Sequence, residues 1–542
     1  MPKSRGLFVC VILFLTSCSV ILNKQGIKNL KDPITSTAYY QSLNAHQQDF
    51  LFLRSVCDRN YPDLNHTFPK PLRDSLATLI LKELAKKDVS ELAFRLYLKK
   101  YISHFNSEHT WVSMKGLSFP TLYPFEVYTT DTALYLLNLG TGYNRELIGQ
   151  KITAVNHIPV QAYERKLMEF VSAENELCKK KAIQNSGWNL PALHEFIGAC
   201  NRDSLLLSFE SGKQVWIKKQ NAQNTQWHLQ TDHLPEHPIT RNRKRNFEYQ
   251  TIDSLGITYF QFHACYDQVE IREGMKTYVK PWLVPLASFY LNRQMKKKKP
   301  SKLLQDTFDP ERPSFDAYIS QMIAETNKKG IHKLVIDLRH NLGGSELICL
   351  QLLYHLTANE QLMDFTTYVT NPQAYKQYFD EAVLSTQEGI MSKKLPGAGI
   401  DSAYFLGSRN STHRLFDKLE DSLSPYYIPV QRPVFNGRII ILANYNTFSA
   451  GALFTALLQD NHIGTVIGTP VSNNPTGASG WTPFHLPNSK IECSTAMEFL
   501  VRPDPGKSAE FIPDIPISLN AADLMKGRDP LFDKAMEVLK QD

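Results

Sequence analysis

Residues 332–344 read HKLVIDLRHNLGG. Its first seven residues form a nearly continuous apolar run, the pattern of a strand buried on both faces of a parallel sheet. The strand ends at Asp337-Leu338-Arg339-His340-Asn341-Leu342-Gly343-Gly344, and a helix is expected over Ser345–Leu356. Paired glycines permit backbone dihedrals closed to other residues. Their N–H groups can then point outward beside a helix N-terminus, where partial positive charge gathers. Such a turn suits a developing oxyanion; it also suits a phosphate, or serves only as a tight turn.

A second stretch repeats the arrangement about a hundred residues later. Arg438–Ala443 (RIIILA) is another buried strand, and Asn444-Tyr445-Asn446-Thr447-Phe448-Ser449-Ala450-Gly451-Ala452 turns sharply into a helix expected over about 449–459. Ser449 falls at the helix start, where serine is also a favoured cap. Both turns follow the C-terminal ends of apolar strands, where α/β folds hold their ligands. A hydroxyl at one strand end and a glycine pair at the other would give a nucleophile and oxyanion-stabilising amides facing one cleft.

Strands at Ser254–Phe262 and Thr465–Gly468 and a helix over Pro313–Lys328 extend this α/β unit to residues 245–542, with long insertions at 270–312 and 360–430. Connections of that length are lids, binding elements or surface decoration. Upstream, residues 35–117 show helical periodicity, notably Asp74–Asp88 and Val89–Tyr101, and end in the strand-like Ser107-Glu108-His109-Thr110-Trp111-Val112. Residues 118–240 change to short β runs. Within them Leu147–Asn156 resembles a PDZ-domain strand, whose edge can accept a peptide C-terminus as an added strand; an ordinary small β-rich domain fits the same pattern.

At the N-terminus, Lys3 and Arg5 precede an apolar run from Leu7 to Leu15, as in a secretory signal. The run is far short of the ~20 residues needed to span a bilayer. It leads into Leu15-Thr16-Ser17-Cys18, which resembles a bacterial lipobox, so residues 1–18 are expected to be a lipoprotein signal with Cys18 the acylated residue. The expected location is an exported protein held on a membrane by that lipid and facing the periplasm. Cys57, Cys178, Cys200, Cys265, Cys349 and Cys493 form no CxxC pair, which argues against zinc and thioredoxin chemistry. Cys178 with Cys200 is a conceivable bridge. No His/Cys/Asp cluster has metal-ligand spacing, so neither metal nor other cofactor is expected. A formal charge of +7 over 542 residues, with one basic run at Lys296–Lys299, gives no footprint for nucleic acid.

The run at 337–344 resembles the "DxRxNxGG" signature of the tail-specific (C-terminal processing) and tricorn-type serine peptidases, and 444–451 resembles their "NxxTFSAG". Leu486-Pro487-Asn488-Ser489, Pro513-Asp514-Ile515 and Gly527-Arg528-Asp529-Pro530 resemble later motifs of the family. The resemblance covers about residues 245–540 and implies a crotonase- and Clp-like spiral core with a PDZ-like and a helical domain over its cleft. It also implies a peptidase acting on peptides or unfolded protein. Ser449 would be the nucleophile, and Gly343 or Gly344 with Ala450 the oxyanion hole. Tail-specific members place a lysine base about 25 residues after the serine, but Thr469–Pro475 contains none. The tricorn-like branch uses a histidine before the PDZ-like part, which implies His109 as general base. Glu510 is the expected orienting carboxylate, Asp504 its alternative, and Ser107 a possible relay. A non-catalytic ligand-binding protein on this scaffold, or an esterase or amidase, would use the same framework.

Overall fold

The structure is a computed structural model describing residues 32–541, apart from 199–202, 230–233, 242–244, 279–284, 286–288, 290–311, 359–360, 372–388, 392–402, 406–418 and 481. The signal segment with Cys18, the basic run, Cys200 and most of both expected insertions therefore lie outside the described residues.

At the centre is a six-stranded sheet ordered Phe247–Ile252 (β1), Ile257–Phe262 (β2), Lys333–Asp337 (β3), Arg438–Ala443 (β4), Thr465–Gly468 (β5) and Ile515–Pro516 (β6). β1 and β2 form an antiparallel hairpin, and every later pairing is parallel. The period-two alternation of side chains decides how the sheet is covered. Leu334, Ile336, Ile439, Ile441 and Ala443 pack with Phe315–Lys328 (α1), Glu346–Leu356 (α2) and Ala450–Asp460 (α3). Val335, Ile440, Leu442 and Ile467 pack on the opposite face with Pro530–Lys540 (α4). Both faces are covered, which is why these strands read as unbroken apolar runs.

The expected strand from Ser254 begins later, at Ile257. Leu255 and Gly256 donate backbone hydrogen bonds to Ile252 and Asp253, and Gly256 takes φ +63°, so these residues make the hairpin turn between β1 and β2. Upstream, the helix expected over 74–88 runs Lys70–Leu84, with Pro71 in its first turn. The next is Glu91–Ile102, capped by Ser90, whose hydroxyl accepts the Ala93 amide.

The helical region reaches the core through a three-stranded sheet. Trp111–Val112 pairs with Cys493 and Ser494, and the strand Glu492–Thr495 pairs in turn with Thr482–His485. Phe50, Phe52, Leu53 and Phe94 share one buried cluster with Phe484, Leu486 and Cys493. Residues 125–218 form a separate antiparallel sheet around its own cluster, including Leu136, Ile152, Tyr163 and Trp188. Along its edge strand Phe125–Thr129 lies the helix Glu176–Ser186, and Gln184 accepts the Thr129 amide at 2.7 Å. Among the described residues no helix is long and apolar enough to cross a membrane.

A buried ion network fixes the end of β3. Arg339 donates to Asp337 at 2.9 and 2.6 Å and to both oxygens of Asp529 at 2.8 Å. Asp529 also caps α4 by accepting the Phe532 amide at 3.0 Å. Burial alone would raise the Asp337 pKa, but the Arg339 guanidinium outweighs it and holds the carboxyl below its ordinary range. Arg339→Met would strand two buried carboxylates, at a cost of about 3–5 kcal/mol. A depressed carboxyl contributes its stability above its unfolded pKa and loses it as pH falls. The gap between wild type and variant in chemical denaturation is therefore expected to be full at neutral pH and to narrow on acidification. A gap that is absent at neutral pH, or that widens in acid, would refute this account.

Candidate active site

Because β3 and β4 are parallel neighbours in register, their C-terminal ends lie side by side. The two turns that leave them are then joined directly. Phe448 N–H donates to the Asn341 carbonyl at 2.8 Å, and the Thr447 hydroxyl to the Leu338 carbonyl at 2.9 Å. Ser449 occupies the N-cap position of α3, yet its side chain makes no capping hydrogen bond. Its backbone sits at φ +52°, ψ −130°, a conformation that costs a non-glycine residue roughly 1–3 kcal/mol. The conformation is held by Asn473, whose Oδ1 accepts the Ser449 amide at 2.6 Å.

Gly343, at φ +84°, is packed against that serine. A Cβ there would lie 2.7 Å from Ser449 Cβ and 2.9 Å from Ala450 N, so only glycine fits. The turn brings three backbone amides together, but they are not equivalent. Gly343 N–H is already given to Asn341 Oδ1 at 2.8 Å. The amides of Gly344 and of Ala450, the first residue of α3, have no acceptor among the described residues. Of the two glycines expected to serve an oxyanion, the geometry thus leaves Gly344 free and ties Gly343 into the turn.

His109 is buried, and its ring stacks on that of Phe448 with centroids 4.9 Å apart. Its Nδ1 has no hydrogen-bond partner, and no hydrogen bond joins it to Ser449 among the described residues. Burial pushes its pKa down to about 4, so the ring is neutral at neutral pH. The neighbouring Glu108 ties this segment to the serine turn. Its carboxyl oxygens lie 2.7 and 2.6 Å from the Ser472 hydroxyl, and Ser472 N–H donates to the Thr447 carbonyl. Burial raises Glu108 to about 7, only partly offset by the Ser472 hydroxyl. Glu174, beside Ser107 and Glu108, is raised well above the carboxylate range by burial and then by Glu108.

The expected orienting carboxylates are placed differently. Glu510 is exposed, its amide donates to Ser508 Oγ, and it makes no hydrogen bond to the buried His109. The short segment after Arg502 keeps it at the surface, because Arg502 and the Asp504 amide are both held by Asp460. Asp504 itself accepts the Gly506 amide at 2.9 Å, within its own turn. Ser107 is beside His109, accepting the His109 backbone amide at 3.3 Å rather than contacting the ring. Glu108, Glu174 and Asn473 carry no signal in the sequence that marks them as site residues. Asn473 falls in the stretch where a lysine base is expected in tail-specific members, and that position alone could draw attention to it.

Next to these turns is a cavity of about 520 Å³ between the helical region, the antiparallel sheet and the core. Leu96, Met114, Phe119, Phe170, Leu342 and Phe448 supply much of its apolar wall. Among the described residues, no group of His, Cys, Asp or Glu side chains is arranged to hold a metal ion.

Residues 306–516 match the model of the family described as peptidase family S41. No curated protein matches the chain. Among solved structures, mature CPAF is 16% identical over 92% of this chain and 97% of its own, with a TM-score of 0.56. Mature CPAF complexed with lactacystin is also 16% identical, over 92% of this chain and 98% of its own, with a TM-score of 0.57. The fold shared with CPAF thus extends well beyond the segment that matches the family. That segment contains Gly343, Gly344, Ser449 and Ala450, so the part of the chain that carries both turns is similar to peptidase family S41.

Proposed function

We propose that this peptidase hydrolyses peptide bonds in exported peptides or unfolded proteins through an acyl-enzyme on Ser449. The observation that carries the reading is the strained Ser449 backbone, with its hydroxyl uncapped, packed against Gly343. The Ser449 hydroxyl attacks the carbonyl carbon as the His109 imidazole, turned from its stack on Phe448, accepts the proton. The tetrahedral oxyanion is stabilised by the Gly344 and Ala450 amides, each worth roughly 3–4 kcal/mol. The imidazolium then protonates the departing amine, and water releases the acyl group by the same route. Residues 118–240 are read as PDZ-like; the Gln184 contact to the edge strand means a peptide adding there must first displace that side chain.

The adjoining cavity supports a preference for a large apolar side chain beside the scissile bond, since Leu342 and Phe448 wall the cavity and flank Gly343 and Ser449. Export and anchoring through Cys18 are supported by the charged and apolar pattern of residues 1–18.

Wild-type protein is expected to be labelled covalently by a fluorophosphonate and to cleave unstructured peptides, with both lost in Ser449→Ala. The acidic limb of kcat/KM should fall near pH 4, since His109 is held neutral down to about 4. Absence of labelling and cleavage would sink the nucleophile assignment; full kcat/KM retained in His109→Ala would sink the role given to His109, whereas a limb near the ordinary histidine value of about 6.5 would show only that burial shifts it less. Ala173, a buried wall residue, provides a test of the cavity. Ala173→Phe should lower kcat/KM for apolar peptides on the order of tenfold while leaving fluorophosphonate labelling intact; unchanged selectivity would remove the cavity from specificity. Mass analysis of protein extracted from bacterial membranes should find acyl chains on Cys18, and an unmodified N-terminus would exclude the anchor.

A further inference from the structure

Two thiols stand directly behind the glycine turn. Cys265 and Cys349 are buried, and their sulfurs are 3.2 Å apart, inside van der Waals contact. Cys265 holds the turn by its backbone on both sides: its N–H donates to the Gly343 carbonyl at 3.0 Å, and its carbonyl accepts the Ser345 amide at 3.0 Å. A Cβ on Gly344 would lie 2.7 Å from the same carbonyl. The Cys265 sulfur is 3.4 Å from Asn341 Oδ1, the oxygen that also accepts the Gly343 amide. The Cys349 sulfur is 3.7 Å from the Ala450 carbonyl. The pair therefore touches both strand-to-helix turns of the site.

We propose that Cys265 and Cys349 are a disulfide-forming pair, and that closing the bond slows the chemistry at Ser449. The oxidant is a small disulfide, and the step is thiol–disulfide exchange. One cysteine thiolate attacks the oxidant's disulfide, forming a mixed disulfide and releasing one small thiol. The second cysteine then attacks the protein sulfur of that mixed disulfide, forming the Cys265–Cys349 bond and releasing the second small thiol. Two electrons pass to the oxidant, and the two protein thiol protons end on the released thiols. An S–S bond of about 2.05 Å requires the sulfurs to approach from their present contact, drawing the Cys265 segment and the first turn of α2 together. Both S–H groups disappear in the process. The Cys265 amide and carbonyl that hold Gly343 and Ser345 move with their side chain. Burial and the neighbouring Cys265 raise the Cys349 pKa well above the ordinary thiol range, so exchange in the folded protein is slow and favours a small oxidant.

The bond itself does not depend on the peptidase reading; its effect on activity does. Purified full-length protein is incubated with oxidised glutathione or with dithiothreitol, then divided. One part is digested without reduction and mapped by mass spectrometry; the other is timed in its reaction with a fluorophosphonate. A peptide pair linked through Cys265 and Cys349 is expected after oxidation, with labelling of Ser449 slower by roughly tenfold or more, recovering on reduction. In Cys349→Ala the labelling rate should no longer respond to the oxidant. If the wild type shows no such cross-link, or if the cross-linked protein labels as fast as the reduced one, the proposal is overturned. Failure of the reduced protein to label at all would count instead against Ser449 as nucleophile, and peptide mapping would still decide the disulfide.

Discussion

The site depends on one contact between segments a hundred residues apart: the Phe448 amide donating to the Asn341 carbonyl at 2.8 Å. Asn341 is also the turn's organiser, since its side-chain oxygen accepts the Gly343 amide at 2.8 Å and its side-chain nitrogen donates to the Phe262 carbonyl at 3.0 Å. A single residue thus links β2, the glycine turn and the serine turn. Gly451 completes the fit, because a Cβ there would fall 2.7 Å from Asn341 Oδ1. The recurrence of Asn, Gly-Gly and Ser-Ala-Gly in these two stretches reflects mutual packing before it reflects catalysis.

That packing explains how Ser449 holds a conformation disfavoured for its residue type. Strain of this size persists only where the surroundings over-determine it. The amide is taken by Asn473, and the preceding residue is fixed by Asn341. The helix that begins there is buried throughout, from Ala450 to Asp460. Releasing the strain would mean moving α3 out of the core or breaking the link between the turns. The serine therefore remains at the helix entrance without spending its hydroxyl on the cap.

How much of this is legible in the sequence depends on the range of each interaction. β3, β4 and their glycine- and serine-bearing turns are visible because alternating burial on a two-sided sheet leaves an apolar run, and a sharp exit from such a strand demands small residues. The hairpin before β2 is blurred because Asp253-Ser254-Leu255-Gly256 lies between two runs that are both apolar enough to read as strand. His109 reaches the site through the pairing of Trp111–Val112 with Cys493 and Ser494, a contact spanning most of the chain that leaves no local periodicity. Glu108 and Asn473 escape for the same reason, since each acts through a side chain whose partner is distant in sequence. Glu510 is reached by motif spacing, and the turn fastened to Asp460 keeps it exposed.

The electrostatics around the serine arise from burial more than from any ion pair. Desolvation lowers His109 to about 4 and Lys181 to about 7, and raises Glu108 to about 7. The Lys181 amine sits over the rings of Tyr128 and Tyr445, at 4.1 and 4.4 Å. Near neutral pH, His109 is therefore uncharged, and burial holds Glu108 and Lys181 near 7, where each shifts toward its neutral form. In the proposed reaction the oxyanion would rely on oriented amide dipoles, which act more strongly at low dielectric than in water. Two such dipoles, at Gly344 and Ala450, are unspent and fixed by the same turns that hold Ser449. The cavity beside these turns is walled mainly by apolar side chains, with Glu108 and Lys181 also in its lining, so burial there shifts both groups toward their neutral forms.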